Sequence, residues 1–106
     1  MTSSRVLQAL DEFVRERDWA QFHTPENLAK SIAIESGELL ECFQWASSAD
    51  EARVRDELAD VVTYCTLLAV RLDLDLDEIV LEKLAKTEAK YPVDRAKGSS
   101  TKYDSL

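Results

Sequence analysis

Residues 57–72 read ELADVVTYCTLLAVRL. Leu58, Val61, Val62, Cys65, Leu68, Ala69 and Leu72 recur there at intervals of three and four, the period of one face of an α-helix rather than the alternation of a strand. The stretch opens on Glu57 and Asp60, whose i,i+3 spacing puts two carboxylates one turn apart on one face. A second pair, Glu35 and Glu38, repeats that spacing upstream. Working outward, the helical period predicts a first helix over residues 4–19, carried by Val6, Leu7, Leu10, Phe13 and Val14. Thr24 as N-cap and Pro25 at the first helical position open a second helix, over 25–45, with Leu28, Ile32, Leu39 and Phe43 turned inward. Ser47, Ser48 and Asp50 mark a polar break before the third helix, over 51–72. Asp75 and Glu78 have capping-box spacing ahead of a fourth helix over 76–90, with Ile79, Val80 and Leu84 inward and Pro92 beyond its end. Residues 93–106, with Gly98, Ser99 and Ser100, read as an irregular tail.

A chain of 106 residues is one domain's worth, and only two Gly and two Pro argue against the many turns of an all-β fold. The expectation is a single domain over 1–106, an all-α bundle of four helices whose short connections favour antiparallel neighbours. The formal net charge of −8 disfavours nucleic acid and anionic membranes as partners. No apolar run is long enough to span a bilayer, and the N-terminus lacks a signal peptide's apolar stretch. Cys42 and Cys65 match neither a zinc site nor a disulfide framework and read as reduced thiols, which points to a cytoplasmic protein.

Four carboxylates on two facing helices repel one another unless cations sit among them, and hard oxygen donors favour Mg²⁺. The bland alternative is a solvated acidic face. The flanking residues argue against it. Trp45 falls at i+7 from Glu38 on the predicted second helix, and Tyr64 falls at i+4 from Asp60 and i+7 from Glu57. Each acidic face therefore continues into an aromatic ring, which suits a metal-bound phosphate beside a stacked nucleobase. Gly37 inside a helix costs about 1 kcal/mol relative to Ala, which close approach of another helix would offset. A di-iron bundle would need Glu-x-x-His on two helices, and the one histidine, His23, is not so placed.

With RDW at 17–19, QFH at 21–23, Pro25, the ESGE and ELAD pairs, FQW at 43–45, Tyr64, the YPV at 91–93 and Lys102-Tyr103, the chain resembles the MazG-like all-α NTP pyrophosphohydrolases. Within them it is most similar to the dCTP pyrophosphatase branch, from about Arg17 to the end. The resemblance implies a four-helix MazG-like bundle assembled as a homo-oligomer, a tetramer rather than a dimer. It implies Mg²⁺-dependent hydrolysis of a dCTP-like or modified pyrimidine nucleoside triphosphate to monophosphate and pyrophosphate. Glu35, Glu38, Glu57 and Asp60 match the family's metal ligands, and Glu35 or Glu38 is the candidate base for the attacking water. Trp19, Phe22, His23, Trp45 and Tyr64 match positions lining its nucleotide pocket, and Lys83 matches a basic position that approaches phosphate. Two positions depart from the branch. Leu10 stands where it carries a histidine and Thr87 where it carries an asparagine, which puts base preference in doubt. The competing reading is a helical regulator or nucleotide sensor that kept bundle and metal site without turnover.

Overall fold

A computed structural model describes residues 3–45 and 48–106, so Ser47 of the expected polar break lies outside the described residues. The chain divides into two compact units after Asp75. Among the described residues every regular element is helical, which bears out the all-α class. None of these helices is long and apolar enough to cross a membrane.

The first unit begins with α1, Ser4–Glu16, capped by Ser3, whose hydroxyl accepts from the Val6 N–H at 3.3 Å. The sequence predicts this helix through Trp19, but it ends three residues earlier. Asp18 adopts a left-handed φ of 53°. The Asp18 N–H then donates to Arg15 O and the Trp19 N–H to Val14 O, both at 3.1 Å. This pair of bonds is a Schellman closure, usually built on glycine. The Gln21 amide steadies it by donating to Asp18 O and Oδ2. The closure turns the Trp19 ring back onto Phe13, edge to face at 5.4 Å between centroids. A short 3₁₀ turn, Ala20–Phe22, follows.

Helix α2, Pro25–Glu41, starts as predicted, with Thr24 Oγ1 accepting from the Asn27 N–H at 3.2 Å. It stops four residues before the expected Trp45. The Cys42, Phe43 and Gln44 N–H groups donate to carbonyls three residues back, so the last turn tightens to 3₁₀ geometry and the helix runs out. Beyond it Phe43 is 54% and Trp45 89% exposed, so no packing within the chain rewards further helix. Helix α3, Glu51–Arg71, is capped by Asp50, which accepts from the Ala52 N–H at 3.0 Å. It ends like α1, on an aspartate with positive φ: Asp73 at 58°, its N–H bonded to Val70 O and that of Leu74 to Ala69 O.

Helix α2 packs along α3. Among the described residues only Leu28, Cys42, Thr66 and Ala69 are buried. Full burial of Leu28 is worth about 1.5–3 kcal/mol. The predicted inward stripe of α3 is largely open in the single chain: Leu58, Val62 and Leu72 are exposed. The same holds for Val6, Leu7 and Phe13 of α1. Cys42 and Cys65 are free thiols. Gly37 does not mark a close helix approach, because a Cβ there would meet nothing within 4 Å.

In the second unit α4, Leu76–Lys90, has its predicted bounds. The tail is more ordered than expected. Pro92 caps a short helix, α5, Val93–Ala96, and a 3₁₀ turn forms at Tyr103–Ser105. The Tyr103 N–H donates to the Tyr91 hydroxyl at 3.1 Å, and the two rings meet edge to face at 6.1 Å. Lys90 Nζ lies 4.7 Å from the centre of the Tyr103 ring. Contacts between residues so far apart in the chain leave no local period to read.

Candidate functional site

The mid-helix acids of α2 and α3 converge. Glu35, Glu57 and Asp60 each offer one carboxylate oxygen, and these atoms lie within 4.8 Å of one another. The Glu38 carboxyl lies within hydrogen-bonding reach of both Glu35 and Glu57. Hydrogen bonding with Glu38, burial, and the charges of Glu38, Asp60 and Glu57 push Glu35 from 4.5 up to about 7. Glu57 is raised as well, first by burial, then by Glu38 as bonding partner and charge and by Asp60; Arg53 pulls weakly the other way.

The Oε2 atoms of Glu35 and Glu57 are sealed from solvent and have no hydrogen-bond partner. Buried carboxylate oxygens of this kind are costly unless paired or bound to a cation. Among the described residues no lysine or arginine forms an ion pair with any of the four acids; the ion pairs at hand, Arg15–Asp11 and Arg17–Glu16, lie on α1 and just beyond it. Orphaned, mutually repelling oxygen donors fit a hard divalent metal ion.

Asp60 also opens onto a cleft of about 300 Å³. Its apolar walls are Leu10, Phe13, Val14 and Leu67, and Trp19, His23, Thr63 and Tyr64 complete it. Local structure explains the placement. The Schellman closure at Asp18 sets Trp19 against Phe13, and Arg17 stacks over the same ring at 3.8 Å. The 3₁₀ turn and the Thr24 cap then hold His23 between the two helices, helped by the Asn27 amide, which donates to Phe22 O at 3.0 Å. Thr63 and Tyr64 follow Asp60 by one turn of α3. A second cleft of about 290 Å³ shares Leu10, Val14, His23 and Leu67 and reaches Asp11 and Arg71.

Of the expected nucleotide-site residues, the structure brings Trp19, His23 and Tyr64 together beside Asp60. Phe22 is 60% exposed and Trp45 89%, and neither lines the cleft. The sequence places Trp45 on the same helical face as Glu38, but the structure does not, because α2 ends at Glu41. Lys83 lies on α4 in the second unit, where its carbonyl accepts from the Thr87 hydroxyl. Sequence reasoning missed Phe13, Val14, Thr63 and Leu67 as cleft residues. The signals were present: Thr63 stands at i+3 and Leu67 at i+7 from Asp60.

An all-helical chain with paired acids at a helix–helix contact and an aromatic cleft beside them defines the class. Residues 30–106 match the MazG-like family, and the chain belongs to it. Among curated relatives it is 41% identical over 105 residues to dCTP pyrophosphatase 1 of Rattus norvegicus and equally to that of Homo sapiens. Each match covers 90% of this chain, which spans 62% of the length of those relatives. Among solved structures it is similar to a pyrophosphatase from Archaeoglobus fulgidus. That likeness has a TM-score of 0.77 and 42% identity, covering 83% of this chain and 90% of the other.

Proposed function

We propose that the protein hydrolyses a nucleoside triphosphate, dCTP-like or a modified pyrimidine, to monophosphate and pyrophosphate with Mg²⁺. The observation that carries this is Asp60, which belongs at once to the carboxylate cluster and to the wall of the aromatic cleft. A ligand with anionic phosphates at one end and a flat base at the other matches that junction.

In this reading Glu35, Glu38, Glu57 and Asp60 hold Mg²⁺. When bound, the ion supplies positive charge to the triphosphate oxygens. Glu35 or Glu38 takes a proton from water as its oxygen bonds the α-phosphorus and the α–β bridging oxygen leaves with pyrophosphate. Trp19 and Tyr64 offer faces on which a base stacks, and His23 a hydrogen bond to its edge. Phe22, Trp45 and Lys83 complete the proposed substrate set, Phe22 and Trp45 as exposed aromatics available to a bound nucleotide or a second copy of the chain. The many exposed apolar side chains favour a homo-oligomer, with a tetramer as the expected species by light scattering.

The test is pyrophosphate release with Mg²⁺ against a panel of ordinary and modified dNTPs. Turnover of none of them, with metal and nucleotide bound, would leave a sensor or regulator instead. Glu38→Gln keeps the fold and loses activity by at least about 100-fold if it serves metal or water; an unchanged rate removes Glu38 from the site.

A further inference from the structure

Helical threonines commonly spend their hydroxyl on a carbonyl one turn back. Thr66 does so, donating to Val62 O at 2.7 Å, and Thr87 donates to Lys83 O at 3.1 Å. Thr63 does not. It is half-buried, it lines the 300 Å³ cleft, and among the described residues its hydroxyl has no hydrogen-bond partner. The cleft sets the apolar Leu10, Val14 and Leu67 beside the polar Asp60, His23 and Tyr64, and the Thr63 hydroxyl is bonded to none of them. The Thr63 oxygen is not one of the sealed polar atoms, so solvent reaches it in the open cleft, and a ligand hydroxyl placed there takes over the bond that water makes.

Its position narrows which part of the ligand. Thr63 lies three residues, about 4.5 Å along the helix axis, beyond Asp60. With the phosphates gathered at the carboxylates and the base among Trp19, His23 and Tyr64, the group between them is the pentose, joined to the α-phosphate through one carbon. We propose that the Thr63 hydroxyl is a substrate-binding group that hydrogen-bonds the 3′-hydroxyl of the nucleotide sugar. The inference rests on the nucleotide reading of the site. A hydroxyl both donates and accepts, so it pairs with another hydroxyl without a fixed proton direction.

The experiment compares wild type, Thr63→Val and Thr63→Ser on one deoxynucleoside triphosphate and its 2′,3′-dideoxy counterpart. Valine keeps the branched shape and removes the hydroxyl; serine keeps the hydroxyl. For Thr63→Val the KM for the deoxynucleotide rises about 3- to 10-fold, the range of one neutral hydrogen bond, with kcat little changed. Thr63→Ser stays within about twofold of wild type. The wild type shows a similar KM rise on the dideoxy substrate, and Thr63→Val shows no further rise, because the two changes remove the same bond. Penalties that multiply, an unchanged KM in Thr63→Val, or a shift in base preference with sugar discrimination intact would each overturn the inference while leaving an active pyrophosphohydrolase. A wild type that turns over no nucleotide defeats the underlying reading, and the inference with it.

Discussion

Replacing either glycine by alanine probes the backbone with one chemical change and two opposite outcomes. Gly37 sits inside α2 in open space, and a methyl group added there would have nothing within 4 Å. Alanine at this position gains about 1 kcal/mol of helix propensity. For a domain of this size that raises Tm by roughly 4–8 °C. Gly98 holds a φ of +77° in the tail. A side chain in that left-handed conformation costs about 1–2 kcal/mol. The local readout is the Ser99 amide, which bonds Ala96 O at 3.0 Å across the turn. Its hydrogen exchange should accelerate about 5- to 30-fold in Gly98→Ala. Calorimetry of Gly37→Ala over a range of protein concentrations is the decisive measurement. A lowered Tm would mean that another copy of the chain fills the space beside Gly37, and would refute an open helix face there. A further dependence of the loss on concentration would identify that contact as intermolecular.

Two other outcomes follow from the acids and from Trp45. In metal-free protein the folded Glu35 carboxyl titrates near 7 against 4.5 when unfolded, so the folded state holds the extra proton between those values. Stability therefore falls as pH rises from about 4.5 to about 7, and Mg²⁺ offsets the loss. Tm measured across that window with chelator should fall in the wild type and flatten in Glu35→Gln; equal slopes in both proteins would contradict the assignment. Trp45→Ala should leave stability within about 0.5 kcal/mol, as its side chain is 89% exposed, and raise the nucleotide KM; a cooperative loss of Tm at every protein concentration would show that it packs within the chain.

Helix starts were legible because their chemistry is local. Thr24-Pro25 opens α2 where the sequence places it, and α3 begins after the aspartate of the polar break. Helix ends were less so. Asp18 and Asp73 take a left-handed conformation that aspartate adopts more readily than most residues, but aspartate is equally at home at N-caps and in turns, so the residue type alone does not mark a helix end. The acid pairs were legible because i,i+3 spacing survives any packing, and the contact of α3 along α2 brings Glu35 and Glu38 to Glu57 and Asp60. Trp45 was misplaced because its reading assumed a helix that the chain abandons at Glu41. Thr63 was passed over although it stands at i+3 from Asp60, because spacing shows the shared face and not whether the hydroxyl bonds back to its own helix. The expected inward stripes were correct as faces of helices, but exposure of Leu58 and Leu72 shows that a single chain does not bury them.

The Schellman closure at Asp18 also sets a clock. Phe13 and Trp19 are six residues apart, and their contact needs only the end of one helix to form. Helix formation of this kind takes about 0.1–1 μs, before distant segments find each other. The carboxylate half of the site must wait for α2 and α3 to pair, against the repulsion of its own charges. The cleft is thus assembled from a fast wall and a slow one, and the slow wall is the one on which solution conditions, ionic strength and divalent ions act while the chain is still folding.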